Sequence, residues 1–154
     1  MNDKEDHFDA DAWLASFWSG EMMVAEQAPA YGSGNRPKNP VVTETFALAS
    51  SVMDYVERLE KINATFADQI LRSGTAVGSH TREAQGAESM ADFLQKMKIA
   101  HKELEETDYR LDLCHLKAHY PHDHDLVRRT KVLFPLFNAI LSTTRKRIND
   151  ARKR

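Results

Sequence analysis

Apolar side chains recur at intervals of three and four residues in four stretches of the chain that follow residue 42. This spacing places them on one face of an α-helix. The first stretch, residues 43–61, therefore predicts helix one. Its apolar face comprises Phe46, Ala49, Met53, Val56 and Leu59.

Capping patterns mark the starts of the next two helices. Thr65 and Asp68 have the spacing of a capping box, in which the hydroxyl accepts from a free backbone N–H and the helix dipole favours the acid. Helix two is predicted from there to about residue 85, where Gly86 can end it. Ser89 and Asp92 repeat the pattern before helix three. The core face of helix three comprises Met90, Phe93, Met97, Ala100, Leu104, Thr107, Leu111, Cys114 and Ala118.

Helix four is expected after Pro121, with Asp125 as its capping residue. Pro135 should kink this helix or begin its second half. Its apolar residues are Leu126, Val127, Leu133, Phe134, Phe137, Ile140, Leu141 and Ile148. This stripe is wider than one bundle seam requires, which leaves two explanations: a deeply buried helix, or contact with another subunit.

The pattern as a whole predicts an all-α fold. The chain shows no strand-like alternation bounded by hairpin turns, and its 154 residues suffice for one domain with a real core. The connections between the helices are short, so successive helices should be antiparallel. We predict an antiparallel up-and-down four-helix bundle at residues 43–150, followed by a basic tail at 151–154.

The first 42 residues have a different composition. Residues 1–28 contain both tryptophans, and Asp9 and Asp11 are placed to start a helix, which predicts one short amphipathic helix in an acidic segment. Residues 29–42 hold three prolines and two glycines, as a linker does. Such a short helix needs a surface, either its own bundle or a partner's groove, and a fused segment is a third explanation. The expected partner-binding side chains are Trp13, Phe17 and Trp18.

Charge is distributed unevenly over a chain whose net charge is only −2. Residues 1–28 carry −6, whereas residues 126–154 carry +8. The single cysteine, Cys114, cannot form an intrachain disulfide, and the acidic N-terminus does not resemble a secretory signal, so we expect a cytoplasmic protein. No apolar run approaches the roughly 18 residues of a membrane span, so no membrane partner is expected.

Three ordered motifs resemble a known family. They are LRSGTAVG at 71–78, REAQGAESMADF at 82–93 and HKELEETDYRL at 101–111. Residues 40–150 resemble the bacterial four-helix bundle proteins first met as 23S rRNA intervening-sequence proteins, relatives of the accessory variability determinant of diversity-generating retroelements. The resemblance implies an antiparallel bundle that assembles as a ring-like homopentamer without known catalysis. It also implies binding of a reverse transcriptase and nucleic acid through a basic surface, as in the retroelement relatives.

Two groups of residues within these motifs are expected to be structural. Gly74 and Gly78, with Thr75 between them, put small side chains where another helix can approach closely, and we favour tight packing over a pocket floor or a kink. The charged positions that match the family are Arg72, Glu83, Glu103 and Glu106. We expect these four to form an ion-paired network between helices two and three. A di-iron site is disfavoured because Glu-x-x-His does not occur.

His115 and His119 have the i, i+4 spacing that can hold zinc on one helix face. The His-Glu-x-x-His pattern is absent, and histidines at a helix end are favoured by the helix dipole, so we expect solvated side chains and no metal or other cofactor. A metal-dependent enzyme at these histidines is the third of our functional hypotheses.

Basic residues concentrate at the C-terminal end of the sequence. They are Arg128, Arg129, Lys131, Arg145, Lys146, Arg147, Arg152, Lys153 and Arg154. No aromatic residues are interleaved with them, so contacts should reach backbone phosphates rather than bases, and a solvated helix end is the alternative. We therefore expect a non-catalytic homo-oligomeric scaffold that binds nucleic acid, a reverse transcriptase, or both. The second hypothesis is a protein-only adaptor that recruits its partner through the N-terminal aromatic helix.

Overall fold

The computed structural model describes residues 9, 11, 12, 15 and 39–153. Regular structure within 39–153 is entirely α-helical. The helices are α1 (Pro40–Leu59), α2 (Ala64–Gln85), α3 (Met90–His115) and α4 (His124–Arg152). Each helix packs against the next, and α4 also packs against α1. The prediction of an all-α protein with four helices is confirmed, whereas the antiparallel course and the extra N-terminal helix stay predictions.

The first helix begins three residues before the predicted position. The side chain of Asn39 accepts a hydrogen bond from the backbone N–H of Val42 at 3.4 Å, and Pro40 occupies the first turn, where a missing N–H costs nothing. The last residues of the predicted linker therefore belong to α1. Most of residues 1–38, including the rest of the predicted linker, lie outside the described residues.

Two of the predicted caps are wrong, because an asparagine or aspartate shortly before them takes the position. Asn63 accepts from the N–H of Phe66 at 3.0 Å, so Thr65 lies inside the first turn of α2. Asp123 accepts from the N–H of Leu126 at 2.9 Å and starts α4 ahead of Asp125.

The start of α3 and the end of α2 agree with the predictions. Ser89 accepts from the N–H of Asp92 at 3.1 Å, and Asp92 in turn accepts from the N–H of Glu88 at 3.2 Å. Gly86 ends α2. Pro135 does not divide α4, which continues through it as one helix.

The predicted core face of helix one is confirmed at Val56 and Leu59, which are buried, and wrong at Phe46 and Met53. Phe46 and Met53 are 49% and 54% exposed. The buried residues of α1 form a neighbouring stripe with the same spacing: Val41, Thr45, Leu48, Val52, Tyr55, Val56 and Leu59. Two stripes of period three and four overlap in this segment, and the close approach of α2 described below selects the second.

The core faces of α3 and α4 follow the prediction. On α3, the buried members are Phe93, Met97, Ala100, Leu104, Thr107, Leu111 and Cys114. Ala118 lies beyond the end of α3 and is exposed. On α4, Leu126, Leu133, Phe137, Ile140 and Leu141 are buried. Part of the surplus apolar stripe of α4 is used within the molecule, because Phe134 meets the ring of His101 at 5.7 Å between centroids.

Side-chain hydrogen bonds connect the helices and fix the loop between α3 and α4. Thr107 of α3 donates to the hydroxyl of Ser73 on α2 at 2.9 Å in the buried interior. The hydroxyl of Tyr55 donates to the carbonyl of Pro121 at 3.0 Å, and burial raises the pKa of this tyrosine well above its usual value. The guanidinium of Arg58 meets Asp123 at 2.6 Å. None of the described helices combines the length and apolar character that crossing a membrane requires.

Candidate nucleic-acid interface

The basic residues of α4 fall into two groups with different surroundings. In the first half of the helix each one has an acidic neighbour. Arg128 lies 3.6 Å from Asp125, and Arg129 lies 4.0 Å from Glu44 of α1. These cations are therefore partly neutralised in the folded chain.

Lys131 is the most completely paired of this first group. Its Nζ donates to Asp108 at 2.6 Å and lies 3.8 Å from Asp112, both on α3. The hydrogen bond to Asp108 raises the pKa of Lys131, and the charge of Asp112 adds to the effect. Binding a phosphate here would require breaking an existing bond between two helices.

Apart from Arg147, the described basic residues at the end of α4 have no such neighbours. Arg145, Lys146, Arg152 and Lys153 are exposed, and within residues 39–153 no acidic side chain forms a salt bridge with any of them. Asp150 is the one acidic residue of the sequence between 126 and 154. Cations near a helix C-terminus are favoured by the helix dipole, so this end of α4 can hold them without ion pairs.

Some of these cations line a groove between α3 and α4. Its cations are Lys98 from α3 and Arg145 and Arg152 from α4. The remaining lining residues are Ala91, Leu94, Gln95, Ile148 and Asn149. The groove has a volume of about 350 Å³ and is open to solvent. Three cations beside two amide side chains provide donors for phosphate oxygens.

Sequence reasoning identified the α4 side of this groove and missed the α3 side. Lys98 and Gln95 were not among the candidates, because they follow the apolar face of helix three and lie far from the basic C-terminal run. The position of Lys98 and Gln95 near the start of helix three could have identified them. If two helices are antiparallel neighbours, exposed residues at the start of one lie beside exposed residues at the end of the other.

Arg147 differs from the other cations of this end. Its guanidinium donates to the main-chain carbonyl of Asp11 at 2.6 Å and lies 3.5 Å from a carboxylate oxygen of the same residue. Its side chain is 29% exposed. Arg154 lies outside the described residues, and so do the predicted partner-binding residues Trp13, Phe17 and Trp18.

The two motif glycines allow α1 and α2 to approach each other closely. A Cβ on Gly74 would lie 2.6 Å from a methyl carbon of Val52, and one on Gly78 would lie 3.3 Å from the carbonyl oxygen of Thr45. Thr75 donates to the carbonyl of Leu71 on its own helix at 2.7 Å. The structure thus supports tight packing as the role of the glycines.

The expected ion-paired network between helices two and three is wrong. Arg72 pairs with Asp68, and Glu83 pairs with His80, both within α2. Glu106 pairs with Arg110 within α3, and Glu103 forms no salt bridge with any described residue. Partners one turn away on the same helix are closer than the neighbouring helix, and the buried contact between α2 and α3 is made by hydroxyls instead.

The histidine pair is not on one helix face, because α3 ends at His115. His119 is exposed and meets the ring of Tyr120 at 4.8 Å. His115 instead lies near His122 and His124, with ring centroids 4.9 and 5.8 Å away. Within the described residues, no group of three or more His, Cys, Asp or Glu side chains is arranged to hold a metal ion.

Residues 39–153 define a small all-α protein, with four helices in this range and a basic groove beside the last turns of α4. Residues 38–128 match the model of the 23S rRNA-intervening sequence protein family, and the chain belongs to that family. This confirms the resemblance carried by the three motifs.

One solved structure with a similar fold is a protein with unknown function from the S23 ribosomal protein family of Bacteroides thetaiotaomicron. It is 30% identical to this chain, with a TM-score of 0.62. The similarity covers 66% of this chain and 97% of the other. No curated protein matches the chain significantly.

Proposed function

We propose that this protein is a non-catalytic, homopentameric scaffold that binds nucleic acid, a nucleic-acid enzyme such as a reverse transcriptase, or both. The observation that carries the proposal is the group of unpaired cations at the α3–α4 groove. Lys98, Arg145 and Arg152 share one open groove, and no acidic side chain of the described chain forms a salt bridge with them. Like charges this close repel one another, and a bound phosphate chain relieves that repulsion.

The chemistry of the groove favours the nucleic-acid backbone over the bases. Arginine and lysine side chains contact phosphate oxygens without reading sequence. The described residues of the groove include no aromatic side chain on which a base could stack. Binding should therefore depend strongly on salt and weakly on sequence.

Assembly would convert a weak contact into useful affinity. A single groove with three cations makes few phosphate contacts, whereas five copies in a ring could engage one long nucleic acid together. The exposed apolar residues offer a surface for subunit contact: Phe46, Met53, Ile62, Tyr109, Leu116 and Val132. Phe46 also lines a groove of about 240 Å³ between α1 and α2, together with the small residues Ala49 and Gly78.

The proposal includes an antiparallel course of the four helices. Two contacts support it. Asn39, before α1, donates to Gln85 at the end of α2 at 2.7 Å. Arg58, near the end of α1, pairs with Asp123 at the start of α4. An antiparallel course also explains why the groove joins the first turns of α3 to the last turns of α4.

Two measurements on the purified full-length protein test the proposal. Native mass spectrometry gives the subunit number, for which we expect five. Fluorescence anisotropy with labelled single-stranded poly(U) RNA, and with a duplex DNA of mixed sequence, gives the affinity at 50 mM and 200 mM salt. We expect binding that weakens at least tenfold over this range. A protein that remains monomeric at high concentration refutes the assembly, and absence of binding at 50 mM salt refutes the nucleic-acid role.

A further inference from the structure

Three histidine side chains, His115, His122 and His124, form a cluster where α3 ends and α4 begins. The ring centroid of His115 lies 4.9 Å from that of His122 and 5.8 Å from that of His124. Backbone carbonyls hold two of the rings. Nδ1 of His115 lies 3.0 Å from the carbonyl oxygen of Leu111, and Nε2 of His122 lies 3.3 Å from that of Lys117. A carbonyl can only accept, so each of these two nitrogens donates an N–H.

The loop of residues 116–123, between α3 and α4, is bonded to the first two helices. The hydroxyl of Tyr55 on α1 donates to the carbonyl of Pro121 at 3.0 Å. The side chain of Asn63, which caps α2, donates to the hydroxyl of Tyr120 at 2.9 Å. Because one histidine of the cluster lies in this loop and the other two adjoin it, any repulsion within the cluster strains these attachments.

The acids near the histidine cluster already have cationic partners. Three ion pairs adjoin the cluster: Arg58 of α1 with Asp123, Asp125 with Arg128, and Asp112 with Lys131. The remaining charged side chains at this end of the helices are exposed: Glu60, Lys61 and Lys117. A carboxylate that is paired with a cation offsets little of any new positive charge on the histidines.

We propose that the histidine cluster is a pH-sensitive switch that controls the attachment of the loop at residues 116–123. Histidine is the side chain whose charge changes between pH 5 and pH 8. Neutral rings can stay in contact, whereas two protonated rings 4.9 Å apart repel each other. The loop is therefore attached to α1 and α2 near neutral pH and opens more often as the pH falls towards 5.

This switch is independent of the proposed nucleic-acid binding. The cluster adjoins the last residue of α3 and the first residue of α4. The basic groove lies at the other ends of these two helices, beside the first turns of α3 and the last turns of α4. Failure of either proposal therefore leaves the other standing.

Cys114 provides a reporter for opening of the loop. It is the single cysteine of the sequence and is completely buried. Its thiol adjoins the hydroxyl of Tyr55, which the loop engages through Pro121, and burial raises the pKa of the thiol. Movement of the loop away from Tyr55 would expose the sulfur, so its rate of modification measures how often the loop opens.

The experiment measures how fast 4,4′-dithiodipyridine modifies Cys114 in the full-length protein at pH 7.5 and at pH 5. His122→Gln removes one imidazole from the cluster. The matched control, His119→Gln, removes an exposed imidazole of the same loop whose ring contacts Tyr120 instead. We expect equal rates at pH 7.5. At pH 5, wild type and the control should react roughly three- to tenfold faster than His122→Gln. Because the proteins are compared at the same pH, the intrinsic pH dependence of the reaction cancels.

Two further variants guard against an effect of the substitution itself. His122→Lys places a permanent charge beside His115, so it should react faster than His122→Gln already at pH 7.5. If His122→Gln reacts faster than wild type at pH 7.5, it has loosened the loop by itself, and His124→Gln takes its place in the comparison with His119→Gln. The switch is refuted if removing a cluster histidine leaves the rate at pH 5 unchanged, or if His119→Gln slows the reaction as much. It is also refuted if His122→Lys reacts no faster than His122→Gln.

Discussion

Lys131 of α4 donates a hydrogen bond to Asp108 of α3 at 2.6 Å. The sequence alone predicts that Lys131 binds nucleic acid, but in the folded chain this bond already occupies its ammonium group. The same carboxylate accepts from Thr130 at 2.9 Å. Asp108 therefore fixes the contact between α3 and the first half of α4. The cations in the first half of α4 are paired with Glu44, Asp108 and Asp112 of neighbouring helices and with Asp125 of α4 itself, whereas at its end only Arg147 has an acidic partner among the described residues.

Removing the acids should release Lys131 for phosphate binding. We expect the variant Asp108→Asn with Asp112→Asn to bind poly(U) RNA more tightly than wild type. The slope of the logarithm of the binding constant against the logarithm of salt concentration should become steeper by about one. Fluorescence anisotropy over a range of salt concentrations measures both quantities. The control, Asp54→Asn with Glu57→Gln, gains the same charge at exposed positions of α1. Identical changes in the two variants would contradict this interpretation.

Replacing Gly74 by alanine should destabilise the fold. The new methyl group would lie 2.6 and 2.8 Å from the two methyl carbons of Val52. Crowding in a packed core costs about 1–3 kcal/mol, which outweighs the gain of about 1 kcal/mol in helix propensity. Urea unfolding measures the free energy of unfolding.

Two further variants decide whether crowding is the cause. Gly74→Ala should cost less in the background of Val52→Ala, because the smaller side chain makes room for the new methyl. Gly86→Ala should be nearly neutral, since its Cβ would lie at an ordinary 3.8 Å from the nearest carbonyl oxygen. If Gly74→Ala costs the same in the wild-type and Val52→Ala backgrounds, the close approach of Val52 does not cause the loss of stability.

Asp123 should make the stability of the fold dependent on pH. Its pKa is lowered, first by the backbone N–H of Leu126 and then by the guanidinium of Arg58. A carboxylate with a lowered folded-state pKa stabilises the fold above its unfolded pKa of about 4, and loses that effect as the pH falls through the folded value. Asp123→Ala should therefore cost about 1 kcal/mol at pH 7 and progressively less below pH 4.

A comparison of unfolding at pH 7 and pH 3 measures this effect. Asp123→Asn retains a capping side chain and removes the charge, so its cost at pH 7 should be smaller than that of Asp123→Ala. Asp125→Ala is the control, since Asp125 lies in the first turn with its side chain 85% exposed. If Asp125→Ala lowers the free energy of unfolding more than Asp123→Ala does, Asp125 and not Asp123 caps α4.

The helices could be predicted from the sequence because their periodicity is long and regular. The core face of α3 follows directly from the spacing of Phe93, Met97, Ala100 and Leu104. The face of α1 could not be predicted in the same way, because Phe46 and Val52 belong to two stripes of equal period. The choice between the stripes depends on which one meets Gly74, and that contact is tertiary.

The candidate site could be predicted only in part from the sequence, for a similar reason. A run of basic residues is visible in the sequence, but the neighbours that neutralise it are not. Asp108 and Glu44 lie on other helices and form salt bridges with Lys131 and Arg129 in the first half of the run. Lys98 completes the groove from a position that is remote in sequence.

The most direct test of the account compares two variants that each lose three positive charges. The groove variant carries Lys98→Gln, Arg145→Gln and Arg152→Gln, and the matched variant carries Arg128→Gln, Arg129→Gln and Lys131→Gln. The measured quantity is the slope of the logarithm of the poly(U) binding constant against the logarithm of salt concentration. We predict that the slope falls by about two to three for the groove variant and by less than about one for the other. Equal slopes, or a greater loss in the matched variant, would contradict the assignment of the interface to the end of α4.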